Sequence, residues 1–292
     1  MELWLLYAIG SAIFAAITTI LAKIGISNVD SNLATAIRTM VVLCFAWLMV
    51  FIVGSYGGMG YIQGNTWVFL ILSGLATGAS WLCFFRALQL GDVSKVVPID
   101  KSSTILTMIL AFVFLREPVR WTNIIGMILM GYGTWLMLEL KKSDNNSDEE
   151  KQNKSWLFFA LLAALFASLV AIFGHIGVAD IDANLWTAIR TMVVVPLSWL
   201  MVFLTGSHKQ IKGIDRKSWI FLILSGVATG SSWLLFYHAL QLGNASVVVP
   251  IDKLSIVLTM AFAGLFLGEK FSKQSVLGLV LLTVGTLLPV FV

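Results

Sequence analysis

The stretch WVFLILSGLATGASWLCFFRALQLG at 67–91 returns 152 residues later as WIFLILSGVATGSSWLLFYHALQLG at 219–243. Each copy is a continuous apolar run long enough to cross the hydrocarbon of a bilayer as one helix, for which about 20 residues suffice. A membrane β-strand would alternate apolar and polar residues instead, so a β-barrel is excluded. The repetition reaches well beyond this run. SNLATAIRTMVV (31–42) becomes ANLWTAIRTMVV (183–194), and VVPIDKSSTILTM (96–108) becomes VVPIDKLSIVLTM (248–260). Between 31 and 118, 52 of 88 positions are identical to their counterparts without a gap. A repeat of this length sets the architecture before any single residue is weighed.

Further runs of the same kind lie on both sides. Spans are predicted near 3–23, 32–54, 66–89, 93–115 and 119–139, then near 155–177, 184–205, 218–241, 245–267 and 273–292. The fold class is therefore all-α and polytopic, with ten transmembrane helices. Three segments follow: a first five-helix repeat (1–139), a polar linker LKKSDNNSDEEKQNK (140–154) and a second repeat (155–292). Five is odd, so the second copy enters the membrane from the opposite side. The halves are then inverted repeats about an axis in the membrane plane, an arrangement found in many secondary transporters. Composition agrees: 59% of the 292 residues are hydrophobic and 12% charged, with a mean hydropathy of +0.92. Soluble domains carry about a quarter charged residues, so an ordinary soluble enzyme, a disordered chain and a nucleic-acid binder are excluded. Cys44 and Cys83 lie inside apolar runs, so no disulfide framework is expected. MELWLLYAIG lacks a basic n-region, and no cleaved signal peptide is expected.

Charges well inside a span are costly and are functional candidates. Arg38 lies roughly 9 Å into the second span, and Asp100 and Lys101 lie on the same side of the membrane in the fourth. Lys23 and Arg86 stand near span ends in that layer and read as snorkelling residues. The repeat places Arg190, Asp252 and Lys253, with His175 and His238, in a mirror layer near the opposite face. Two such layers suggest two gates, with Arg38 expected to pair with Asp100 and Arg190 with Asp252. Pro98 and Pro250, two residues before each aspartate, are expected to kink their helices and free carbonyls beside the charge.

A second pattern lies near the midplane. Gly74-x-x-x-Gly78 and Gly226-x-x-x-Gly230 permit close helix approach. Ser73, Thr77 and Ser80, with Ser225, Thr229 and Ser232, lie near the same stripe, and Trp81 and Trp233 lie one turn on. These are the candidate substrate-cavity residues; packing alone is the competing reading. Trp4, Trp67, Trp121, Trp156 and Trp219 sit at span ends and read as an interfacial belt. Glu117 and Glu269 read as loop caps. No H-E-x-x-H or G-x-S-x-G motif is present. GMGYIQG (58–64) lacks the lysine of a phosphate loop. No enzymatic activity, metal or cofactor is expected.

The ten spans, the two five-helix halves and the P-I-D-K segments ending near L-x-E resemble the drug/metabolite transporter superfamily, EamA type, in the form of a tandem fusion of two single units. The resemblance implies a carrier in the cell (inner or plasma) membrane with a central cavity between the halves. It implies a small-molecule solute as partner, with no nucleic acid and a functional monomer. The related small multidrug carriers keep a glutamate in the first span; here that span has no carboxylate, Glu2 being terminal. If protons couple, Asp100 and Asp252 are the candidates. The alternative is a passive channel or a lipid-handling protein. The buried layers are net basic, which points to a zwitterion or an anion. Ten Lys and Arg residues on the linker face, against Arg116 and Arg120 opposite, place both termini outside by the positive-inside rule. The resemblance implies both in the cytoplasm.

Overall fold

The computed structural model describes residues 3–115, 119–138, 155–177, 181–242, 251–252 and 254–291. Pro250, Lys253, Glu117 and the whole polar linker lie outside the described residues, as does the side chain of His175. Among the described residues there is no strand. Ten α-helices are seen among the described residues: α1 (Leu3–Gly25), α2 (Ser31–Val53), α3 (Gly64–Leu90), α4 (Val93–Leu110), α5 (Trp121–Leu138), α6 (Ser155–Gly177), α7 (Ala183–Leu204), α8 (Arg216–Leu242), α9 (Ser255–Leu267) and α10 (Lys273–Phe291). Seven of them are long and apolar enough to cross a membrane unaided.

Local chemistry repeats with the sequence. Asp30 caps α2, its carboxylate accepting from the N–H groups of Asn32 (3.0 Å) and Leu33 (3.2 Å). Asp182 does the same for α7 through Asn184 (2.9 Å) and Leu185 (3.2 Å). Such caps satisfy backbone donors that the first helical turn leaves without partners. Helix α2 ends at left-handed Gly54 (φ 80°), and α7, closed by Thr205, is followed by left-handed Gly206 (φ 71°); any side chain would be strained at either glycine. Short 3₁₀ turns follow, Ser55–Tyr61 and Ser207–Gly213. The glycine-rich stretch at 58–64 falls within the first of these turns and the start of α3. Helix α4 runs on past Pro98 and ends in a π turn at 111–115.

The halves interleave. Helix α1 packs on α8 and α9, and its repeat α6 packs on α3 and α4; α2 meets α7, and α5 meets α10. Small residues make α1 suited to this: Ala8, Ser11, Ala12, Ala16, Thr19 and Ala22 form its buried stripe. Contacts between Ser11 and Ser232, and between Thr18 and Ser225, show that α1 runs antiparallel to α8. Helix α3 runs parallel to α1 after two reversals, so its repeat α8 is inverted relative to it. The α5–α10 pair crosses more closely. A Cβ on Gly133 would come within 2.6 Å of the Gly278 carbonyl oxygen, and one on Gly285 within 2.7 Å of that of Gly126. These four glycines are repeat equivalents meeting across the pseudo-two-fold axis. The outer faces present large apolar side chains, Phe51, Phe114, Phe203 and Leu265 among them, as lipid contact requires.

Candidate functional site

Between the halves lies a cavity of about 390 Å³. Its wall holds Arg38, Asp100 and Lys101 from the first repeat together with Arg190 and Asp252 from the second. Thr77, Ser80 and Trp81 line it, as do their equivalents Thr229, Ser232 and Trp233. The two charged sets expected near opposite faces thus share one chamber. The indole rings of Trp81 and Trp233 meet with centroids 5.3 Å apart, within the range of favourable aromatic pairing.

The expected ion pairs are replaced by other partners. Arg38, 2% exposed, donates from Nε to Ser225 Oγ (2.8 Å) and from Nη2 to Thr229 Oγ1 (3.0 Å), and lies 4.0 Å over the Phe85 ring. Asp252 accepts from Ser11 Oγ at 2.8 Å, while Arg190 stacks 4.9 Å over Trp233. The physical reason is helix placement. Helix α2 packs against α7 and α8 of the other repeat, so its buried arginine finds the hydroxyl stripe of α8 before any carboxylate of α4.

The small-residue motifs fix that placement. Gly74 and Gly78 receive Val193 and Leu197 of α7; Gly226 and Gly230 receive Val41 and Phe45 of α2. Ser73 and Ser225 are fully buried beneath the wall. Ser80 donates to the Ala163 carbonyl and Ser232 to the Ser11 carbonyl, each at 3.0 Å, so these hydroxyls also pin α6 and α1 to the opposite half. Pro98 is buried two residues before Asp100.

The residues at the rim of the charged layers act elsewhere. Lys23 Nζ donates to the carbonyls of Leu88 and Gly91, meeting the negative end of α3. Arg86 donates to Gln89, which in turn holds the Val29 carbonyl. His238 lies 5.7 Å from the Tyr7 ring, centroid to centroid. Glu269 caps α4 from the other repeat, accepting from the N–H groups of Val93 and Ser94, each at 2.8 Å. One member of the expected aromatic belt belongs to the interior: Trp156 is 8% exposed and packs on Gly91, because the flat backbone there leaves room for an indole. Trp121, by contrast, is 80% exposed at the start of α5.

Several wall residues escaped the reading of the sequence. Ser11, Thr18 and Thr19 of α1 line the cavity, and the repeat equivalents of the first two are Ala163 and Val170. The signal was present as hydroxyls about two turns apart in an otherwise apolar span, and as departures from the repeat. Phe84, Phe85 and Phe236 complete the apolar part of the wall.

The sequence profile of the EamA-like transporter family matches the chain twice, over residues 2–139 and 154–291. A protein of Sinorhizobium sp named an uncharacterized transporter in the cobO 3' region is 46% identical over 136 residues, 47% of this chain and 96% of that protein. That relative therefore has about the length of one repeat. The uncharacterized transporter YxxF of Bacillus subtilis is 21% identical over 211 residues, 70% of this chain and 64% of its own length. A solved structure described as "Crystal structure of protein" is similar over 96% of this chain and 94% of that one, with a TM-score of 0.65 at 14% identity. That is a likeness of fold.

Proposed function

The chain belongs to the EamA-like transporter family and is a multi-pass protein of the cell membrane, and from that premise we propose that it is a secondary transporter working by alternating access. The observation that carries the reading is the central cavity, walled by equivalent residues of two inverted, interleaved halves. Two like halves that exchange conformations open such a chamber first to one face and then to the other. The wall offers Arg38, Arg190 and Lys101 against Asp100 and Asp252, so a small zwitterion or anion balances its charge best. The Trp81–Trp233 pair supplies an apolar surface for the rest of the solute. Asp100 and Asp252 are the groups through which a proton would couple. The transporter acts as a monomer in this reading, since one chain closes the chamber. Counterflow in proteoliposomes tests it: unlabelled solute on one side accelerates exit of labelled solute from the other. A passive channel, the rival reading, shows no such acceleration.

A further inference from the structure

We infer that Arg190 receives the anionic end of the solute, and that Ser73 and Thr77, which do not hold its guanidinium here, form an alternative dock that it reaches by side-chain rotation. This rests on the transport reading above and assigns one group of its cavity.

Repeat equivalents stand here in different states. Arg38 is docked on Ser225 and Thr229 of the opposite repeat. The same shift of 152 residues sets Ser73 and Thr77 as the dock for Arg190. The backbones are ready for it. A Cβ on Gly226 would lie 3.2 Å from the Arg38 carbonyl oxygen, and one on Gly74 would lie 3.0 Å from that of Arg190. The two helix pairs are therefore in the same register. Yet Ser73 Oγ is buried without a hydrogen-bond partner, and so is Arg190 Nε. Arg190 is 6% exposed, its guanidinium turned over Trp233 on the cavity wall instead. Rotation of one side chain would join the two orphaned groups.

The sequence explains why this arginine is the loose one. Ser225 donates to the Thr18 carbonyl at 3.0 Å, and Thr229 lies 3.4 Å from the Thr18 hydroxyl. Thr18 thereby holds the acceptors of Arg38 in place. Its repeat equivalent is Val170, which has no hydroxyl to do the same for Thr77. A buried guanidinium that has left its acceptors needs an anion. A carboxylate meets it best, through two parallel charge-assisted bonds. The Trp233 face holds the cation by its π-cloud and leaves the N–H edge open.

The test uses purified full-length protein and matched pairs of carboxylates and their primary amides, drawn from aliphatic, aromatic and α-amino acids. Binding is read by thermal shift. At least one carboxylate should bind wild type about tenfold or more tightly than its amide. The preference should vanish in Arg190→Gln and survive in part in Arg190→Lys. Ser73→Asp, which offers Arg190 an internal carboxylate, should weaken the carboxylate by a similar factor; should that variant fail to fold, the two Arg190 variants decide. Equal binding of carboxylates and amides to wild type overturns the inference, and so does a preference that survives Arg190→Gln. Counterflow in the same preparations separates the two levels. Flux with carboxylate preference intact in Arg190→Gln sinks the assignment alone. Carboxylate preference without counterflow sinks the transport mechanism and leaves the binding site standing.

Discussion

Ser225 and Ser73 are the same residue in the two copies of one sequence, yet alanine should affect them unequally. Ser225 Oγ takes the Nε–H of a guanidinium that is 2% exposed. Removing it deletes a hydrogen bond to a charged group, worth about 1.5–3 kcal/mol, and frees the Thr18 carbonyl. Ser73 Oγ has no partner, so Ser73→Ala deletes a desolvated hydroxyl and gives up no hydrogen bond of its own; its effect should be about zero or slightly stabilising. The difference is about 2 kcal/mol. At about 2 °C per kcal/mol for a chain of this size, Ser225→Ala should unfold about 4 °C below Ser73→Ala. Tryptophan fluorescence of detergent-solubilised protein at one fixed scan rate measures it, since membrane proteins often unfold irreversibly. Equal shifts, or a larger loss in Ser73→Ala, would refute the claim that the two arginines stand in different states.

The remaining expectations concern packing, capping and flux. Gly133→Ala sets a Cβ within 2.6 Å of the Gly278 carbonyl oxygen and should destabilise by about 1–3 kcal/mol. Gly131→Ala, whose Cβ would meet nothing closer than Ile105 at 3.9 Å, should leave the unfolding temperature within about 2 °C. Glu269→Ala removes the acceptors for Val93 and Ser94 and should cost about 1 kcal/mol at the start of α4, read as faster hydrogen exchange there. Asp100→Ala should abolish solute flux in proteoliposomes while the protein elutes as wild type by size exclusion; full flux would remove Asp100 from the mechanism.

The spans, their number and their inversion were legible because hydropathy and an odd repeat are properties of the chain alone. Shared surroundings were legible in part: Arg38, Asp100, Thr77 and Trp81 line one cavity with their equivalents, although the two charged sets were expected near opposite faces. Partnership was not. Sequence gives the height of Arg38 along α2, but the azimuth that turns it toward Ser225 and away from Asp100 depends on which helices of the other half pack beside it. Still less could identical residues disclose different states. Ser73 and Ser225 lie in near-identical stretches, and among the differences around them is Thr18 against Val170, in other helices. That pair was visible as a break in the repeat, and such breaks carry the information that the repeat itself hides.

Ala15 and Ala167 are repeat equivalents that line the cavity from the two halves, and single cysteines there report the central claim. With Cys44 and Cys83 replaced, each variant is reacted with a membrane-impermeant thiol reagent from either face, before and after solute is supplied on one side. Alternating access predicts that the solute raises the labelling rate from one face and lowers it from the other, at both positions. Labelling that rises from both faces together, or that ignores the solute at both positions, contradicts it.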